Sequence, residues 1–127
     1  MDCHQHLLID AVINSPINDE KEAKRWMKRL VKAVDMEIFG GPWAKYCYDK
    51  GNEGLSALIW LKTSHASIHQ WPESNILKFY LYSCKKFTID PVLELFQVFN
   101  PVSLNYTMID RTSGNHIITD QGSLNFD

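Results

Sequence analysis

The 127-residue sequence has no apolar run approaching the roughly 20 residues that a membrane span requires. Its N-terminal stretch, MDCHQHLLID, has neither a basic flank nor a small-residue cleavage site, so we expect no signal peptide. Basic residues are not in excess either, since the net charge is -2. The basic cluster EKEAKRWMKR alternates with apolar residues at helical spacing. We therefore expect neither a membrane partner nor a nucleic-acid partner.

Cysteine is sparse as well. The three cysteines, Cys3, Cys47 and Cys84, form no CxxC pair. An odd and scattered set of this kind fits a reducing compartment better than a disulfide framework. We therefore expect a cytoplasmic protein.

What the sequence does contain is ordinary for a globular protein: 45% of the residues are apolar and 22% are charged. A chain of this length buries about two-thirds of its unfolded surface when it folds. It can therefore fold without disulfides, and association would stabilise it further. We expect one domain that spans residues 1–127.

The segment DEKEAKRWMKRLVKAVDM predicts an amphipathic helix, because its apolar residues recur at three- and four-residue steps and acids begin it. Asp90 and Pro91 predict the N-cap and first position of a second helix, PVLELFQVF. Strands are predicted for HLLIDAVI, MEIF, WAKYCY, LSALIWLK (buried on both faces), SHASIHQW, ILKFYLYSC and VSLNYTMID, and a polar tail for RTSGNHIITDQGSLNFD. Short links favour antiparallel pairing. The expected fold is an α+β two-layer sandwich, an antiparallel sheet with two helices on one face.

The segment KTSHASIHQWPE concentrates polar chemistry directly after the apolar stretch LSALIWL. Side chains of a strand alternate between its two faces. One face of this strand therefore carries His65, Ser67, His69 and Trp71, whereas the other is apolar. A face of this composition is too polar for a core, and it is typical of a functional site.

Three interpretations of this polar face remain open. The first is an exposed sheet face, or one that hydrogen-bonds a loop. The second is a metal site, because His65 and His69 are four residues apart and His4 and His6 are two apart. Against it, four-residue spacing suits a helix better than a strand, and no cysteine or acid completes the ligand set. The third is nucleophilic chemistry, in which the hydroxyl of Ser64 works with His69 as a nearby base.

The stretch GLSALIWLKTSHASIHQWPE, followed by Ser83 and Cys84, resembles the small prokaryotic S-adenosylmethionine decarboxylases. That family shows a Gly-x-Ser strand, then Ser-His-x-Ser/Thr-hydrophobic-His-Thr-Trp/Tyr-Pro-Glu, and later Thr-Cys-Gly. The likeness is dense over residues 54–84. Outside that range it is weaker but colinear, in HLLIDA, the first helix and the Asp-Pro helix.

The resemblance implies a proenzyme that cuts itself between Thr63 and Ser64. In that family the serine attacks the preceding carbonyl, the peptide becomes an ester by an N-to-O acyl shift, and elimination and hydrolysis leave a pyruvoyl group. Here the products would be chains of residues 1–63 and 64–127, with the pyruvoyl group derived from Ser64. The resemblance assigns supporting roles in this cleavage to His69 and Ser56. The pyruvoyl carbonyl forms a Schiff base with the substrate amine and serves as an electron sink, and no metal is implied.

Further roles follow from the same resemblance. Cys84 matches the family's proton donor, although a lone cysteine is otherwise read as a small buried hydrophobe. Trp71 matches a residue that stacks on adenine, and Glu73 matches one that hydrogen-bonds the ribose. The implied product is decarboxylated S-adenosylmethionine, the aminopropyl donor for spermidine synthesis. The implied assembly is a homodimer of processed protomers with active sites at the interface.

The sequence departs from the family pattern at four positions. Thr63 stands where the family often has Glu, Gln70 replaces Thr, Tyr80 replaces an acid, and Lys85 replaces the Gly after the cysteine. Relatives of this fold decarboxylate arginine or ornithine. The alternatives are therefore the same machinery acting on arginine or ornithine, or an unprocessed, non-catalytic regulatory paralogue.

Overall fold

The structure is a computed structural model that describes residues 3–126. Within that range the helices are α1 (Glu20–Ala33) and α2 (Asp90–Leu95). The strands are β1 (Gln5–Ile13), β2 (Ile38–Cys47), β3 (Gly54–Leu61), β4 (Ser64–Trp71), β5 (Ile76–Ser83), β6 (Pro101–Asp110) and β7 (Ile117–Asn125). They form one antiparallel sheet in the order β2-β3-β4-β5-β1-β6-β7. This α+β sandwich confirms the predicted fold class.

Helix α1 forms where the apolar stripe predicts it. The Asp19 side chain accepts a hydrogen bond from the backbone N–H of Lys21 at 3.0 Å and caps the helix. The buried stripe of α1 consists of Ala23, Trp26, Met27, Leu30 and Val31. The Trp26 ring packs against Phe79 of β5 and against Phe96 and Phe99, which follow α2. Both helices are therefore held on one face of the sheet.

The opposite face of the sheet, here called the open face, is covered by neither α1 nor α2. Leu58 and Trp60 of β3 point to it and are 45% and 52% exposed. The prediction that LSALIWLK is buried on both faces is therefore wrong. The reason is that both helices lie on the other side, so only alternate residues of β3 reach the core.

Strand β2 and the C-terminal tail also differ from the prediction. The second half of MEIF and most of WAKYCY belong to one strand, β2 (Ile38–Cys47). A shift in its pairing with β3 around Gly40 and Trp43 accommodates the Gly-Gly-Pro sequence. The polar tail is not irregular but contains strand β7, which pairs with β6. Residues 117–121 of β7 are all exposed, so this strand lacks the alternating apolar pattern that would have revealed it.

The second helix begins one residue earlier than predicted. Asp90 is the first residue of α2 and Ile89 occupies the N-cap position, so the Asp90 side chain is not the cap. The helix ends at Leu95 and continues as a 3-10 turn over Phe96–Phe99. Among residues 3–126, neither helix has the length and apolar content that crossing a membrane demands.

Candidate active site

The turn between β3 and β4 lies at one edge of the sheet, next to the end of β5. Leu61 pairs with Ser64, which leaves Lys62 and Thr63 as a two-residue turn. Strand β5 runs beside β4, and its last residues place Cys84 against this turn. The fold thus brings together Ser64 and Cys84, two of the residues that the sequence predicts for the site.

The hydroxyl of Ser64 is buried and fixed by Cys84. The Cys84 N–H donates to Ser64 Oγ at 3.1 Å, and Ser64 Oγ donates to Cys84 Sγ at 3.7 Å. Ser64 is only 6% exposed, so few rotamers are open to its side chain. The result is a nucleophile candidate held in one orientation before any ligand binds.

Thr63, the residue whose carbonyl precedes Ser64, has an unusual backbone. Its φ is +56°, in the left-handed region that β-branched residues avoid. Such a conformation costs about 1–2 kcal/mol. The Thr63 hydroxyl donates to the Lys62 carbonyl at 2.7 Å and contacts Cys84 Sγ at 2.6 Å. Backbone strain therefore lies directly beside the 63–64 peptide bond.

A cleft of about 310 Å³ opens beside Ser64 and Cys84. Its other walls are Asp35, Met36, Glu37, Lys62 and Lys85. The Lys85 ammonium forms an ion pair with Asp35 at 3.1 Å and also donates to the Asp35 carbonyl. Sequence reasoning missed the 35–37 segment, because it carries no motif. Only the sheet pairing brings it here, where the Lys62 N–H donates to the Glu37 carbonyl at 3.2 Å.

Ser56 and His69 form a second cluster, on the open face. Ser56 lies opposite His69 in the β3–β4 pairing, and His69 Nδ1 is 2.8 Å from Ser56 Oγ. Partial burial lowers the pKa of His69 below its ordinary value, so the neutral imidazole is favoured near pH 7. A neutral imidazole that is oriented by a hydroxyl can accept a proton.

The two clusters do not meet within one chain. His69 follows Ser64 by five residues along β4, which is about 17 Å at the rise of a strand. The odd spacing also places the two side chains on opposite faces, with Ser64 on the helix side. The predicted contact between Ser64 and a nearby His69 is therefore not formed within this chain.

Trp71 and Glu73 lie at the far end of β4. Trp71 is seven residues from Ser64, about 23 Å along the strand. Its indole N–H donates to Asn52 at 3.4 Å, and its ring lies 6.4 Å from the His69 ring. Glu73 is exposed in the short 3-10 turn Pro72–Ser74. Both residues thus share an end of the strand with His69 rather than with Ser64.

A further histidine cluster surrounds Tyr82 on the open face, and its member His65 is adjacent to Ser64 in the sequence. The His4 Nδ1 atom lies 2.8 Å from the Tyr82 hydroxyl, and the His65 and His6 rings contact the Tyr82 ring. Burial and the nearby Arg111 lower the pKa of His6. Within residues 3–126, no group of three or more His, Cys, Asp or Glu side chains has an arrangement that could hold a metal ion.

The chain is similar to known proteins in its sequence family and in its fold. A family model described as S-adenosylmethionine decarboxylase matches residues 5–112. Among curated proteins, no sequence matches this one significantly. The fold is similar to the crystal structure of the adenosylmethionine decarboxylase from Aquifex aeolicus VF5, with a TM-score of 0.64 and 17% sequence identity. That similarity covers 84% of this chain and 88% of the Aquifex chain.

Proposed function

The chain belongs to the S-adenosylmethionine decarboxylase family and is a carboxy-lyase, and from this premise we propose a self-processing, pyruvoyl-dependent enzyme. Its substrate would be S-adenosylmethionine, and its product would serve spermidine synthesis. The observation that carries the proposal is the environment of Ser64: a buried hydroxyl held by Cys84, directly after a strained turn. We also propose a cytoplasmic location and one domain, supported by the sparse cysteines and the length of the chain.

The residues around Ser64 fit the formation of a pyruvoyl group at that position. The hydroxyl is adjacent in sequence to the Thr63 carbonyl that it would attack, and the left-handed turn stores free energy at that bond. The adjoining cleft of about 310 Å³ is at the lower end of the range for small-molecule sites. A pyruvoyl group there would supply the electron sink that decarboxylation requires.

Cys84 would donate a proton to the substrate's α-carbon after carbon dioxide leaves. Its sulfur lines the same cleft as Ser64 and lies 3.7 Å from the Ser64 hydroxyl. A proton donor must lie within hydrogen-bonding reach of the atom that it protonates. The place of Cys84 in the same cleft as residue 64 supports this role.

His69 and Ser56 would assist self-cleavage from a second copy of the chain. They lie on the open face, too far along β4 to reach Ser64 of their own chain. The open face carries an apolar groove of about 400 Å³ that His69 lines together with Trp43, Leu58 and Trp60. Exposed aromatic surface of this kind is typical of a protein interface. We therefore propose a homodimer in which two open faces pack together.

The same dimer would complete the substrate site. Ser64 and Cys84 lie at one end of β4, and Trp71 and Glu73 lie at the other. A two-fold axis that lies between the two open faces and runs across the strands would bring the Trp71 end of one protomer toward the Ser64 end of the other. There the Trp71 ring would stack on adenine, and the Glu73 carboxylate would accept hydrogen bonds from the ribose hydroxyls.

The test is a denaturing mass measurement on the purified protein after incubation. We expect the 14.7 kDa chain to be replaced by two chains that correspond to residues 1–63 and 64–127. The second chain should carry a carbonyl that reacts with hydroxylamine and with borohydride. A folded chain that stays uncut and carries no such carbonyl would contradict the proposal and favour a non-catalytic regulatory role.

A second measurement identifies which substrate the enzyme decarboxylates. Carbon dioxide release is followed in parallel with S-adenosylmethionine, arginine and ornithine. We expect release from S-adenosylmethionine alone. Release from arginine or ornithine instead would keep the self-processing mechanism and overturn the substrate assignment.

A further inference from the structure

Thr63 is a departure from the family motif, and the structure gives it two features that no motif position explains. Its backbone is left-handed, and its hydroxyl contacts the sulfur of Cys84. We propose that Thr63 is a positioning residue for self-cleavage, which strains the 63–64 bond and, through Cys84, holds the Ser64 hydroxyl in place. This inference rests on the proposed function, because it concerns the rate of the same cleavage.

The backbone contribution comes from the shortness of the turn. Leu61 pairs with Ser64, so the chain must reverse direction over Lys62 and Thr63 alone. The Lys62 N–H is also bound to the Glu37 carbonyl at 3.2 Å, which prevents the turn from relaxing outward. Thr63 therefore keeps its φ of +56° despite a branched Cβ. Cutting the 63–64 bond opens the turn and releases this strain.

The side-chain contribution is a chain of hydrogen bonds. The Thr63 hydroxyl has one proton, which it donates to the Lys62 carbonyl at 2.7 Å. In its contact of 2.6 Å with Cys84, the Thr63 oxygen then accepts from the thiol, which also faces the Lys62 carbonyl at 3.9 Å. The sulfur is then oriented to accept from Ser64 Oγ at 3.7 Å. The hydroxyl proton of Ser64 is thus directed toward the sulfur.

Thr63 is not part of the hydrophobic core, so its substitution should not destabilise the fold through lost packing. It is exposed in the turn, and both of its side-chain hydrogen-bond partners belong to the site. Substitution there removes the strain, the hydroxyl or both, and it leaves no cavity behind. Changes in the cleavage rate therefore report on the site itself.

Three substitutions separate the two contributions. Thr63→Ser keeps the hydroxyl, Thr63→Val keeps the branched Cβ without the hydroxyl, and Thr63→Gly removes both. The measurement is the rate at which freshly purified precursor is converted into two chains, followed by denaturing mass spectrometry. We expect the Ser variant to cut within about twofold of the unsubstituted chain, Val about tenfold more slowly, and Gly more slowly again. The exposed Thr88→Val is the matched control and should cut at the unsubstituted rate.

A double-mutant cycle tests whether Thr63 acts through Cys84. Cys84→Ala should slow the cut, and adding Thr63→Val to it should slow the cut no further. Independent effects that multiply would overturn the positioning role, as would a Val variant that cuts at the unsubstituted rate. Rescue of the rate by Ser but not by Val distinguishes a specific hydroxyl role from a general disturbance of the turn.

The backbone strain at Thr63 can be measured separately, as a change in the unfolding temperature of a chain that is not cut. In the Ser64→Ala background, where no cleavage is expected, Thr63→Gly should unfold at a higher temperature than Thr63→Val, because only Gly adopts the left-handed region freely. A reversed order would overturn the strain contribution, even if a variant failed to cut for other reasons. If the unsubstituted chain never cuts, the proposed function fails. If it cuts and the Thr63 variants cut equally fast, only this inference fails.

Discussion

The two faces of strand β4 differ in what fixes their side chains. On the helix side, Ser64 and Gln70 are buried and held by several hydrogen bonds, and Gln70 alone bonds both backbone groups of Ile17 and the carbonyl of Leu55. On the open face, His69 and Trp71 are only partly covered and touch one another and nearby polar groups. The nucleophile candidate is therefore positioned within one chain, whereas His69, which is expected to act on it, lies on the opposite face of the strand.

The largest expected effect is on self-cleavage, and it is tested by substituting one serine on each face of β4. Ser64→Ala should abolish self-cleavage, because it removes the attacking oxygen, and the mass should remain that of the 14.7 kDa chain. Ser67→Ala, on the open face of the same strand, is the matched control and should still be cut. Cleavage of the Ser64→Ala chain at the same bond would remove Ser64 from the mechanism.

The second effect tests whether the open face acts on a different chain. His69→Ala should slow self-cleavage by at least about 100-fold, which is typical of losing a general acid or base. Mixed dimers are then formed from differently tagged His69→Ala and Ser64→Ala chains. The His69→Ala chain should be cut in these mixed dimers, because its partner supplies His69.

The outcome of that mixing experiment is unambiguous when dimer exchange is verified through the tags. Mixed dimers that stay uncut would indicate that His69 acts within its own chain. His116→Ala serves as the matched control, because His116 is an exposed histidine outside both clusters, and it should leave the rate unchanged.

The third effect concerns stability rather than cleavage. Gln70→Leu leaves the backbone N–H and carbonyl of Ile17 without their partner in a buried position. We expect a loss of about 2 kcal/mol in the free energy of unfolding, measured by urea titration of the uncut Ser64→Ala chain. Ser67→Ala on the open face should change that free energy by less than about 0.5 kcal/mol. Equal losses would mean that the two faces are equally rigid.

The smallest effect is the dependence of self-cleavage on pH. Burial lowers the pKa of His69 from its ordinary 6.5, so most of the imidazole stays neutral at pH 6.5. If neutral His69 assists the cut, the rate at pH 6.5 should remain above half of its value at pH 8 and should fall only at lower pH. A rate that is already halved well above pH 6.5 would exclude His69 as the titrating group.

The same contrast between faces explains which parts of the fold were predictable. Helix α1 and the core strands follow from local periodicity, because burial on one side leaves a regular apolar pattern. The open face does not follow from local periodicity. Leu58 and Trp60 look like core residues in the sequence, yet they are half exposed in the structure. Strand β7 was missed for the opposite reason, since its exposed residues 117–121 carry no alternation.

For the site, the sequence indicates candidate residues, whereas only the fold shows which of them lie close together. Ser64 and Cys84 were linked by the spacing of a family motif, and the fold does bring them together. The separation of Ser64 from His69 required the register of β4, which places them on opposite faces. The cleft wall at residues 35–37 depends on the pairing of strands that are distant in sequence, so no local sequence pattern predicts it.

The position of β1 has a consequence for what the cut would leave behind. Strand β1 belongs to the first 63 residues, yet it lies between β5 and β6, which both belong to the remainder. Strand β3 pairs with β4 on the other side of the turn that would be cut. The two products would be interleaved in one continuous sheet, so they could part only by breaking three strand interfaces at once. We therefore expect them to copurify without any covalent link and to separate only under denaturing conditions.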